Sequence, residues 1–449
     1  MIRNRETLTD HGNEGAREAA VDTATAALEA VHPRRTVPEA VDRSGSTLRV
    51  GDWSFDLETV GDLYAVGAGK GSAAVADAVL DVLGDVDGGV VAEKRGQGRD
   101  LDGVSVLEAG HPLPDETSLE AGQAVVDAAA RAGPEDLVVV CVTGGASAQC
   151  VRPAGDLSLA DLRETTDLLL RAGLRIEEVN AVRKHLSEVK GGRLARQIAP
   201  ASLVTLVIVD EVAGKPWGPT VGDRTTFEDA LGVLARYNLV DAVPEPVRDH
   251  LRRGRAGEIR ETPRPTDLGN VDAATAVLAG PADLCEAARD RAAALGYEAS
   301  ILSTSIEGES REVATVFAGV AEEIRAYGRP VEPPCVLVSS GETTVTVTGE
   351  GGDGGPNQEF GLAFALETAD VPDVTALALG TDGTDGPTAV AGALVDGSTV
   401  PRVRATGADP REHLQRHDAT EPLELAGDAV DTGPTGTNVM DLRLLVVEG

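Results

Sequence analysis

The chain has 449 residues and a formal net charge of −34 at pH 7, from 40 basic and 74 acidic residues. This charge excludes a protein that binds nucleic acid or docks on anionic membranes, because phosphate-rich surfaces repel it. A length of 449 residues predicts two domains, since single domains usually hold roughly 100–200 residues.

Composition also indicates where the protein works. Aromatic residues make up 2% of the chain and only five lysines occur, a pattern typical of halophilic organisms whose cytoplasm is rich in salt. The first residues lack the apolar core of a signal peptide, and no apolar run approaches a membrane span. The four cysteines form no Cys-x-x-Cys pair. We therefore expect a cytoplasmic protein with no membrane partner.

Short apolar runs that end at glycines alternate with Ala- and Leu-rich stretches in the first half of the chain. This alternation predicts a parallel sheet covered by helices on both faces. The predicted strands are Leu63–Val66, Leu137–Val142 and Ser202–Val209, and the clearest helix is Ala73–Leu83.

A stretch rich in Pro, Arg and Glu, residues 243–270, is predicted to be a linker or long connection. It divides the chain into domains 1–250 and 271–449. The strands predicted after it are Ala273–Leu278, Ala299–Ser303, a pair around Gly341 (Cys335–Ser339 and Thr343–Thr348), Val374–Gly380 and Leu442–Val447. The helices are Ala282–Leu295, Arg311–Tyr327 and Asn357–Glu367.

The first predicted strand runs into a glycine turn that contains Gly67, Gly69, Lys70, Gly71 and Ser72. Backbone N–H groups at such a turn, helped by a lysine, favour phosphate. The spacing matches neither the dinucleotide fingerprint, which needs a third glycine at Ser72, nor the P-loop, in which Ser or Thr follows the lysine. A tight strand-to-helix turn is the alternative explanation.

A second turn of this kind follows the strand Leu137–Val142 and contains Gly144, Gly145 and Ser147. Its N–H groups and hydroxyl are candidates for a second phosphate or a carboxylate. A turn that simply requires positive φ is the alternative.

The densest basic segment of this acidic chain is residues 182–193. If it is helical, Arg183, Ser187 and Lys190 share one face at i, i+4 and i+7, which predicts contact with an anion. His185 alone is better explained as a packed residue than as a ligand.

Acidic residues follow two of the predicted strands. Asp382 and Asp385 lie three residues apart in the turn Gly380–Gly386, and Asp210 follows the strand Ser202–Val209. Carboxylates there can hold Mg²⁺ or accept a hydroxyl proton in phosphoryl transfer. Plain Asx turns are the alternative.

Polar residues also lie at two further element ends. Glu342 lies near the predicted strand pair, while Asn357 and Gln358 lie at a helix start, where an N-cap is the ordinary explanation.

Together these segments resemble the class II glycerate kinase family, whose members were often labelled hydroxypyruvate reductases. The resemblance spans nearly the whole chain in order. Its segments are 65–72, 108–115, 143–148, 180–194, 210–211, 218–220, 307–312, 341–348, 357–359, 381–386 and 433–438.

The resemblance implies a two-domain α/β fold: an N-terminal Rossmann-like, mostly parallel sheet flanked by helices, a smaller C-terminal α/β domain, and an active site in the cleft between them. It implies transfer of phosphate from ATP, with Mg²⁺ or another divalent cation, to D-glycerate, which gives 2-phosphoglycerate. Lys70 matches the lysine of the family's catalytic centre. Family members often carry Arg where this chain has Pro356, and Arg183, Lys190 or Arg311 are candidates to compensate.

From these patterns and from what the resemblance implies, we assign roles to the candidate residues. The catalytic candidates are Lys70, Asp210 and Asp382, and the metal candidates are Asp382 and Asp385. The nucleotide- or phosphate-binding candidates are Gly67, Gly69, Gly71, Ser72, Gly144, Gly145, Ser147, Asn357 and Gln358. The substrate-binding candidates are Arg183, Lys190 and Glu342.

Two other functions remain open at this point. A nicotinamide-dependent hydroxypyruvate reductase fits the old family label and the glycine turn, and a non-catalytic nucleotide-binding protein fits two α/β domains. The sequence also leaves open whether the chain forms a homodimer.

Overall fold

The computed structural model describes residues 1–209, 217–269 and 273–449. These residues form two compact units. We call the first the Lys70 unit; it comprises Val37–Val209 and the described residues from 217 to 278. The second, the Asp382 unit, comprises Met1–Thr36 and Ala279–Gly449. The domains predicted from the sequence, 1–250 and 271–449, therefore differ from these units in two places. The first 36 residues belong to the Asp382 unit, and the strand after residue 272 belongs to the Lys70 unit.

Three helices open the chain: α1 (Arg5–Thr9), α2 (Glu14–Ala30) and α3 (Pro33–Ala40). Helix α2 is rich in alanine, the strongest helix former, and the Asn13 side chain caps it by accepting from Ala16 N. Its buried face belongs to the Asp382 unit.

In the described residues, the Lys70 unit has a small antiparallel sheet formed by its first three strands, and a six-stranded sheet with helices packed around it. Its strands are β1 (Val41–Ser44), β2 (Thr47–Val50), β3 (Trp53–Asp56), β4 (Leu63–Ala68), β5 (Gly88–Lys94), β6 (Ser105–Ala109), β7 (Leu137–Val142), β8 (Ser202–Ile208) and β9 (Ala273–Ala279). Its helices are α4 (Ser72–Leu83), α5 (Glu116–Ala129), α6 (Ala146–Gln149), α7 (Leu159–Arg171), α8 (Ile176–His185), α9 (Arg193–Ile198), α10 (Phe227–Arg236) and α11 (Glu245–Arg255).

The strand order of the six-stranded sheet, in the described residues, is β6-β5-β4-β7-β8-β9. Strands β4 to β8 pair in parallel, and every residue of β7 is buried, as the continuous apolar runs predict. The order is that of a dinucleotide-binding Rossmann sheet, in which ligands bind where the strand order reverses, beyond the carboxyl ends of the two central strands. In this unit those strands are β4 and β7.

Residues 243–269 of the segment predicted as a linker or long connection lie within the Lys70 unit, so the linker alternative is wrong. Helix α11 fills its first part and a 3₁₀ helix, Pro265–Leu268, follows. Val247 and Leu251, one turn apart on α11, are both fully buried. The many Pro and Arg residues favoured the linker prediction, but a surface helix can pack through a narrow apolar stripe of only a few residues.

The Asp382 unit carries a mixed sheet. Its strands are β10 (Glu298–Glu309), β11 (Cys335–Thr344), β12 (Val374–Gly380), β13 (Gly392–Asp396), β14 (Ala429–Val430) and β15 (Asp441–Val447). Its other helices are α12 (Pro281–Ala294), α13 (Ser310–Tyr327), α14 (Pro356–Glu367), α15 (Thr399–Ala405), α16 (Pro410–Gln415) and α17 (Thr420–Ala426). The strand order is β10-β11-β15-β12-β13-β14, and only β10 and β11 pair in parallel among these described strands.

The pair of strands predicted around Gly341 is one continuous strand, β11. Gly341 has φ +137°, and a Cβ there would lie 2.2 Å from the Ile306 carbonyl oxygen on β10. The glycine therefore permits close approach of two parallel strands rather than a turn. No helix in the described part of the chain is long and apolar enough to cross a membrane.

A buried charge cluster joins the N-terminal helices to the rest of the Asp382 unit. Arg17 on α2 is fully buried and donates to Asp396 Oδ2 over 2.9 Å, and also to Asp428. It also donates to the carbonyl oxygens of Leu8 and Leu394, over 2.6 and 3.0 Å. Because a buried guanidinium must be paired, this cluster explains why the first 36 residues belong to this unit.

We expect Arg17→Met to lower the free energy of unfolding by about 3–5 kcal/mol, because it leaves two buried carboxylates without their cation. Arg5→Ala is the control: Arg5 pairs with Asp22 on the surface and should cost at most about 1 kcal/mol. Denaturant unfolding at high salt measures both losses. Equal losses for the two variants would contradict the role given to Arg17.

Candidate active site

The first glycine turn brings the ends of β4 and β7 together. A Cβ on Gly67 would lie 2.1 Å from the Cys141 carbonyl oxygen. Gly69 has φ +132°, and a Cβ there would lie 2.2 Å from Thr143 Oγ1. Both positions require glycine because the two strand ends touch.

The polar groups of this turn are already used within the protein. Gly69 N donates to the Ala92 carbonyl over 3.1 Å, Lys70 N to the Gly144 carbonyl over 2.7 Å, and Ser72 N to the Gly69 carbonyl over 3.0 Å. Ser72 Oγ donates to the Ala92 carbonyl over 2.8 Å. These three N–H groups and the Ser72 hydroxyl are therefore not available to the phosphate that the sequence predicts at the Gly67–Ser72 turn.

A buried carboxylate occupies the helix end where the phosphate was predicted. Glu93, at the end of β5, is 1% exposed and accepts from Gly71 N over 2.9 Å and Ala73 N over 3.1 Å. It accepts from Lys94 N as well, over 2.9 Å. Burial raises the pKa of Glu93 to about 7, although these hydrogen bonds favour the ionised form and lower the pKa. Helix α4 is thus capped by the protein's own anion.

Lys70 lies against the second glycine turn. Gly145 has φ +90°, and a Cβ there would lie 3.1 Å from Lys70 Cγ, 3.2 Å from His111 Cδ2 and 3.3 Å from Gln149 Nε2. Gln149 is fully buried, and its amide has no hydrogen-bond partner among the described residues. The N–H groups of Gly144 and Gly145 likewise donate to no acceptor in that part of the chain.

Two cations converge on this turn. Arg183 Nη2 lies 3.4 Å and Lys190 Nζ 3.1 Å from the Ser147 carbonyl oxygen. The predicted common helix face is wrong, because α8 ends at His185. Instead Ser187 Oγ accepts from Lys190 N over 3.2 Å, which turns the chain so that both cations reach the same carbonyl.

These two cations lack a carboxylate partner within residues 1–209, 217–269 and 273–449. Burial, helped by the charge of Arg183, lowers the pKa of Lys190 to about 7, and burial also lowers the pKa of Arg183. Lys184, by contrast, pairs with buried Asp223 over 3.2 Å. An unneutralised pair of cations in so acidic a chain favours an anionic ligand. His185 is fully buried and bonds the Ala181 carbonyl, as expected for a packed histidine.

In the Asp382 unit, Asp385 caps helix α14. One of its oxygens accepts from Asn357 N and Nδ2 over 3.0 and 3.1 Å, and the other from Gln358 N and Nε2 over 2.8 and 3.0 Å. Both carboxylate oxygens are therefore satisfied by four donors, and the same four donors are closed to phosphate. The geometry gives Asp385, Asn357 and Gln358 a capping role rather than the metal and phosphate roles predicted for them.

Burial and the charge of Asp441 raise the pKa of Asp385 to about 7. Asp441 begins β15 and pairs in register with Gly380, at the end of β12. Burial raises the pKa of Asp441 to about 6; Arg443 opposes this rise, whereas Glu342 and Asp382 add to it. Several carboxylates thus share one end of the sheet.

Asp382 forms an Asx turn, because its Oδ1 accepts from Thr384 N and Oγ1, both over 2.9 Å. It is 5% exposed, whereas Glu342 on β11 is exposed. Arg443 is the buried cation of this cluster: it donates to Asp441 Oδ2 over 2.9 Å and to Thr343 Oγ1 over 2.8 Å. Arg311, a candidate to compensate for Pro356, lies 3.5 Å from Glu359 on α14.

The structure therefore assembles the predicted residues into one cluster in each unit. The cluster of the Lys70 unit contains Lys70, Gly144, Gly145, Ser147, Arg183 and Lys190. The cluster of the Asp382 unit contains Asp382, Asp385, Asn357, Gln358 and Glu342. Asp210 lies outside the described residues.

Five residues of these clusters were missed from the sequence: Glu93, His111, Gln149, Asp441 and Arg443. His111 lies in one of the segments that carry the family resemblance, so a signal for it existed. The other four lie inside or beside ordinary strands and helices, and only pairing of the elements places them here.

Two known family models match the chain, one mostly in its first half and one in its second half. Residues 19–252 match a family model described as a domain of unknown function, DUF4147, and residues 335–441 match the MOFRL family.

Known proteins resemble the chain over nearly its full length. Glycerate 2-kinase of Pyrococcus horikoshii is 42% identical, over 94% of this chain and 95% of that protein. The crystal structure of glycerate kinase of Thermotoga maritima matches with a TM-score of 0.79 and 34% identity, over 96% of this chain and 99% of that one. A relative in Agrobacterium vitis, 40% identical over 86% of this chain and all of its own, carries hydroxypyruvate reductase as a provisional name.

The cap on α4 predicts a pH dependence of stability. The pKa of Glu93 rises from 4.5 to about 7 on folding, so the folded protein holds this proton more tightly than the unfolded chain. The contribution to stability is complete below pH 4.5 and is lost as pH rises through about 7, a change on the order of 3 kcal/mol. Glu93→Gln should remove this part of the pH dependence.

Denaturant unfolding at about pH 5 and about pH 8, at constant high salt, measures the difference between the variant and the parent. Glu58→Gln, which changes an exposed carboxylate, is the control. If the stability of Glu93→Gln changes between these two pH values as much as that of the parent, the buried carboxylate does not titrate in this pH range.

Proposed function

The chain belongs to the glycerate kinase family, and we propose that it transfers the γ-phosphate of ATP to the 2-hydroxyl of D-glycerate, giving 2-phosphoglycerate and ADP. The glycerate 2-kinase of Pyrococcus horikoshii and the glycerate kinase structure of Thermotoga maritima each match more than nine tenths of this chain. The observation that carries the proposal is the unneutralised pair Arg183 and Lys190 on the turn that contacts Lys70.

The Arg183–Lys190 pair suits the carboxylate of glycerate. A carboxylate between the two cations would restore the charge balance that burial disturbs, and a guanidinium can bind it through two parallel hydrogen bonds. The open N–H groups of Gly144 and Gly145 lie on the same turn and can donate to an oxygen of the same ligand. This arrangement fixes the substrate by its acid group and leaves its hydroxyls for reaction.

Lys70 suits the transferring phosphate. Its side chain lies against Gly145, next to the turn that the cation pair approaches. A mobile ammonium can follow the phosphoryl group as negative charge redistributes over its oxygens, and positioning with electrostatic stabilisation supplies most of the catalysis in such transfers.

The carboxylates of the Asp382 unit suit a divalent cation. Asp382 and Asp441 offer hard oxygen ligands. Burial, together with the neighbouring charges of Glu342 and Asp382, raises the pKa of Asp441, and a cation would stabilise its ionised form. A bound Mg²⁺ supplies charge neutralisation for the phosphates of ATP. Asp385 does not fit this role, because both of its oxygens cap α14. Asp382 is also the candidate to accept the proton of the substrate hydroxyl.

A hydroxypyruvate reductase is the second candidate, favoured by the Rossmann strand order and by the provisional name of a relative. Its nicotinamide cofactor would place a pyrophosphate at the N-terminus of α4. Glu93 fills that position with a carboxylate bonded to Gly71 N and Ala73 N. Two anions cannot share it, so the local structure disfavours this activity.

The two activities separate in a direct assay at high salt. With D-glycerate, ATP and Mg²⁺ we expect ADP release, and ³¹P NMR should identify 2-phosphoglycerate. No ADP release would overturn the proposal. Oxidation of NADH with hydroxypyruvate, followed by absorbance, would establish the reductase instead.

We expect Lys70→Met to lower kcat by about 10³-fold or more while the folded structure persists, because the transferring phosphate loses its cation. Circular dichroism and the melting temperature check the fold. Retention of more than a tenth of the activity would contradict the role of Lys70.

The lowered pKa of Lys190 predicts how substrate capture depends on pH. Lys190 is cationic below about 7 and loses its charge above it, so kcat/KM for D-glycerate should fall as pH rises past about 7. Lys190→Arg keeps the charge and should remove this fall. Lys190→Met should raise KM about 10- to 100-fold, the loss of one charged hydrogen bond.

The control for charge is Arg171→Gln on the exposed surface of α7, which should leave KM unchanged. An unaltered pH profile in Lys190→Arg would show that another group titrates in the parent enzyme.

A further inference from the structure

A histidine and two carboxylates meet at the corner between α16 and α17. His413 Nδ1 lies 3.1 Å from Asp418 Oδ2 and 4.0 Å from Glu421 Oε2. One ligand atom from each of the three residues lies within 4.8 Å of the other two. None of these residues belongs to the two clusters described above.

We propose that His413, Asp418 and Glu421 form a binding site for a divalent transition-metal ion such as Zn²⁺. Ligand bonds of about 2.0–2.2 Å in a tetrahedral site place neighbouring donor atoms roughly 3.3 Å apart. The separations of 3.1 and 4.0 Å need only a small movement of Glu421 to meet this requirement. Glu421 can make that movement, because its side chain is 63% exposed.

The other two ligands are held in place before any ion binds. Asp418 N donates to the His413 carbonyl over 3.0 Å, which closes the turn between them. Asp418 Oδ1 accepts from Asp353 N over 3.2 Å, which leaves Oδ2 directed at His413. Such an outer hydrogen bond orients a carboxylate ligand and keeps the cost of ordering it small.

The ligand set indicates the class of metal. One imidazole nitrogen with two carboxylate oxygens suits Zn²⁺, Co²⁺ or Ni²⁺ better than Mg²⁺ or Ca²⁺, which prefer oxygen alone. The carboxylates Asp382 and Asp441, an all-oxygen set, suit the hard ions. The proposed site is therefore chemically distinct, and it does not depend on the kinase reaction.

Arg416 competes with the metal. Its Nη2 lies 3.9 Å from Asp418 Oδ2, and its side chain is 60% exposed and also contacts Glu412. A metal ion would displace the guanidinium into solvent at little cost, since exposed ion pairs contribute at most about 1 kcal/mol. Removal of this positive charge should tighten metal binding.

The corner also holds the segment that leads into α14. Gly352 N donates to the Arg416 carbonyl over 2.9 Å, and Thr420 N to the Asp353 carbonyl over 3.1 Å. Together with the bond from Asp353 N to Asp418, these contacts tie residues 352–353 to the turn. A metal ion that fixes the turn should therefore stabilise the Asp382 unit.

The test is titration of the full-length chain with Co²⁺ at high salt, with Mg²⁺ in excess to occupy the oxygen sites. We expect one visible-absorbing Co²⁺ per chain, displaced by Zn²⁺, and a Zn²⁺-dependent rise in melting temperature. His413→Gln and Glu421→Gln should each weaken Co²⁺ binding by about tenfold or more. Arg416→Gln should tighten it.

Glu424→Gln is the matched control, because it removes the same charge from an exposed position on α17 without removing a ligand. Glu421→Gln alters an exposed side chain, so its effect on Co²⁺ binding can be measured even if His413→Gln folds poorly. Equal Co²⁺ affinity in Glu421→Gln, Glu424→Gln and the parent would overturn the proposal, and so would an absorption spectrum that persists in a folded His413→Gln protein.

Discussion

Buried carboxylates at helix N-termini organise both candidate clusters. Glu93 caps α4 and Asp385 caps α14, each by accepting from backbone N–H groups of the first turn. A helix N-terminus attracts an anion because its N–H groups have no partner in the helix. Here the chain supplies that anion itself. The caps fix the turns in which Lys70 and Asp382 lie, and they close these helix ends to phosphate.

With these two helix ends closed, the proposed anion site combines side-chain cations with the open N–H groups of Gly144 and Gly145. Arg183 and Lys190 reach the same carbonyl oxygen of Ser147, and burial leaves both charges poorly solvated. In a chain of net charge −34, such a pair without a carboxylate partner in the described residues is costly unless a ligand neutralises it. The proposed substrate binding and its expected pH dependence both rest on this one local arrangement.

Local patterns predicted most of the elements within a few residues. The strands Leu137–Val142 and Val374–Gly380 have the predicted bounds, because continuous apolar runs flanked by turns leave little choice of limits. The errors arose where a pattern admits two structures. Gly341 interrupts a run of residues that favour strands, and so it predicted a turn. Strand β11 nevertheless continues through it, because the glycine allows close packing against β10. Residues 182–193 look helical throughout, yet α8 stops at His185 and a Ser187 turn completes the cation pair.

The sequence by itself determined the α/β class, the positions of the glycine turns and the candidate residues Lys70, Arg183, Lys190 and Asp382, because these depend on neighbours along the chain. Only the tertiary structure decided which polar groups remain open to a ligand. Glu93 lies 22 residues along the chain from Gly71, whose N–H group donates to it, and Asp385 lies 27 residues from Gln358, so no local pattern reveals either bond. Hydrogen-bond satisfaction depends on contacts between distant segments. Among the described residues, it uses the N–H groups of the first glycine turn and leaves those of Gly144 and Gly145 open.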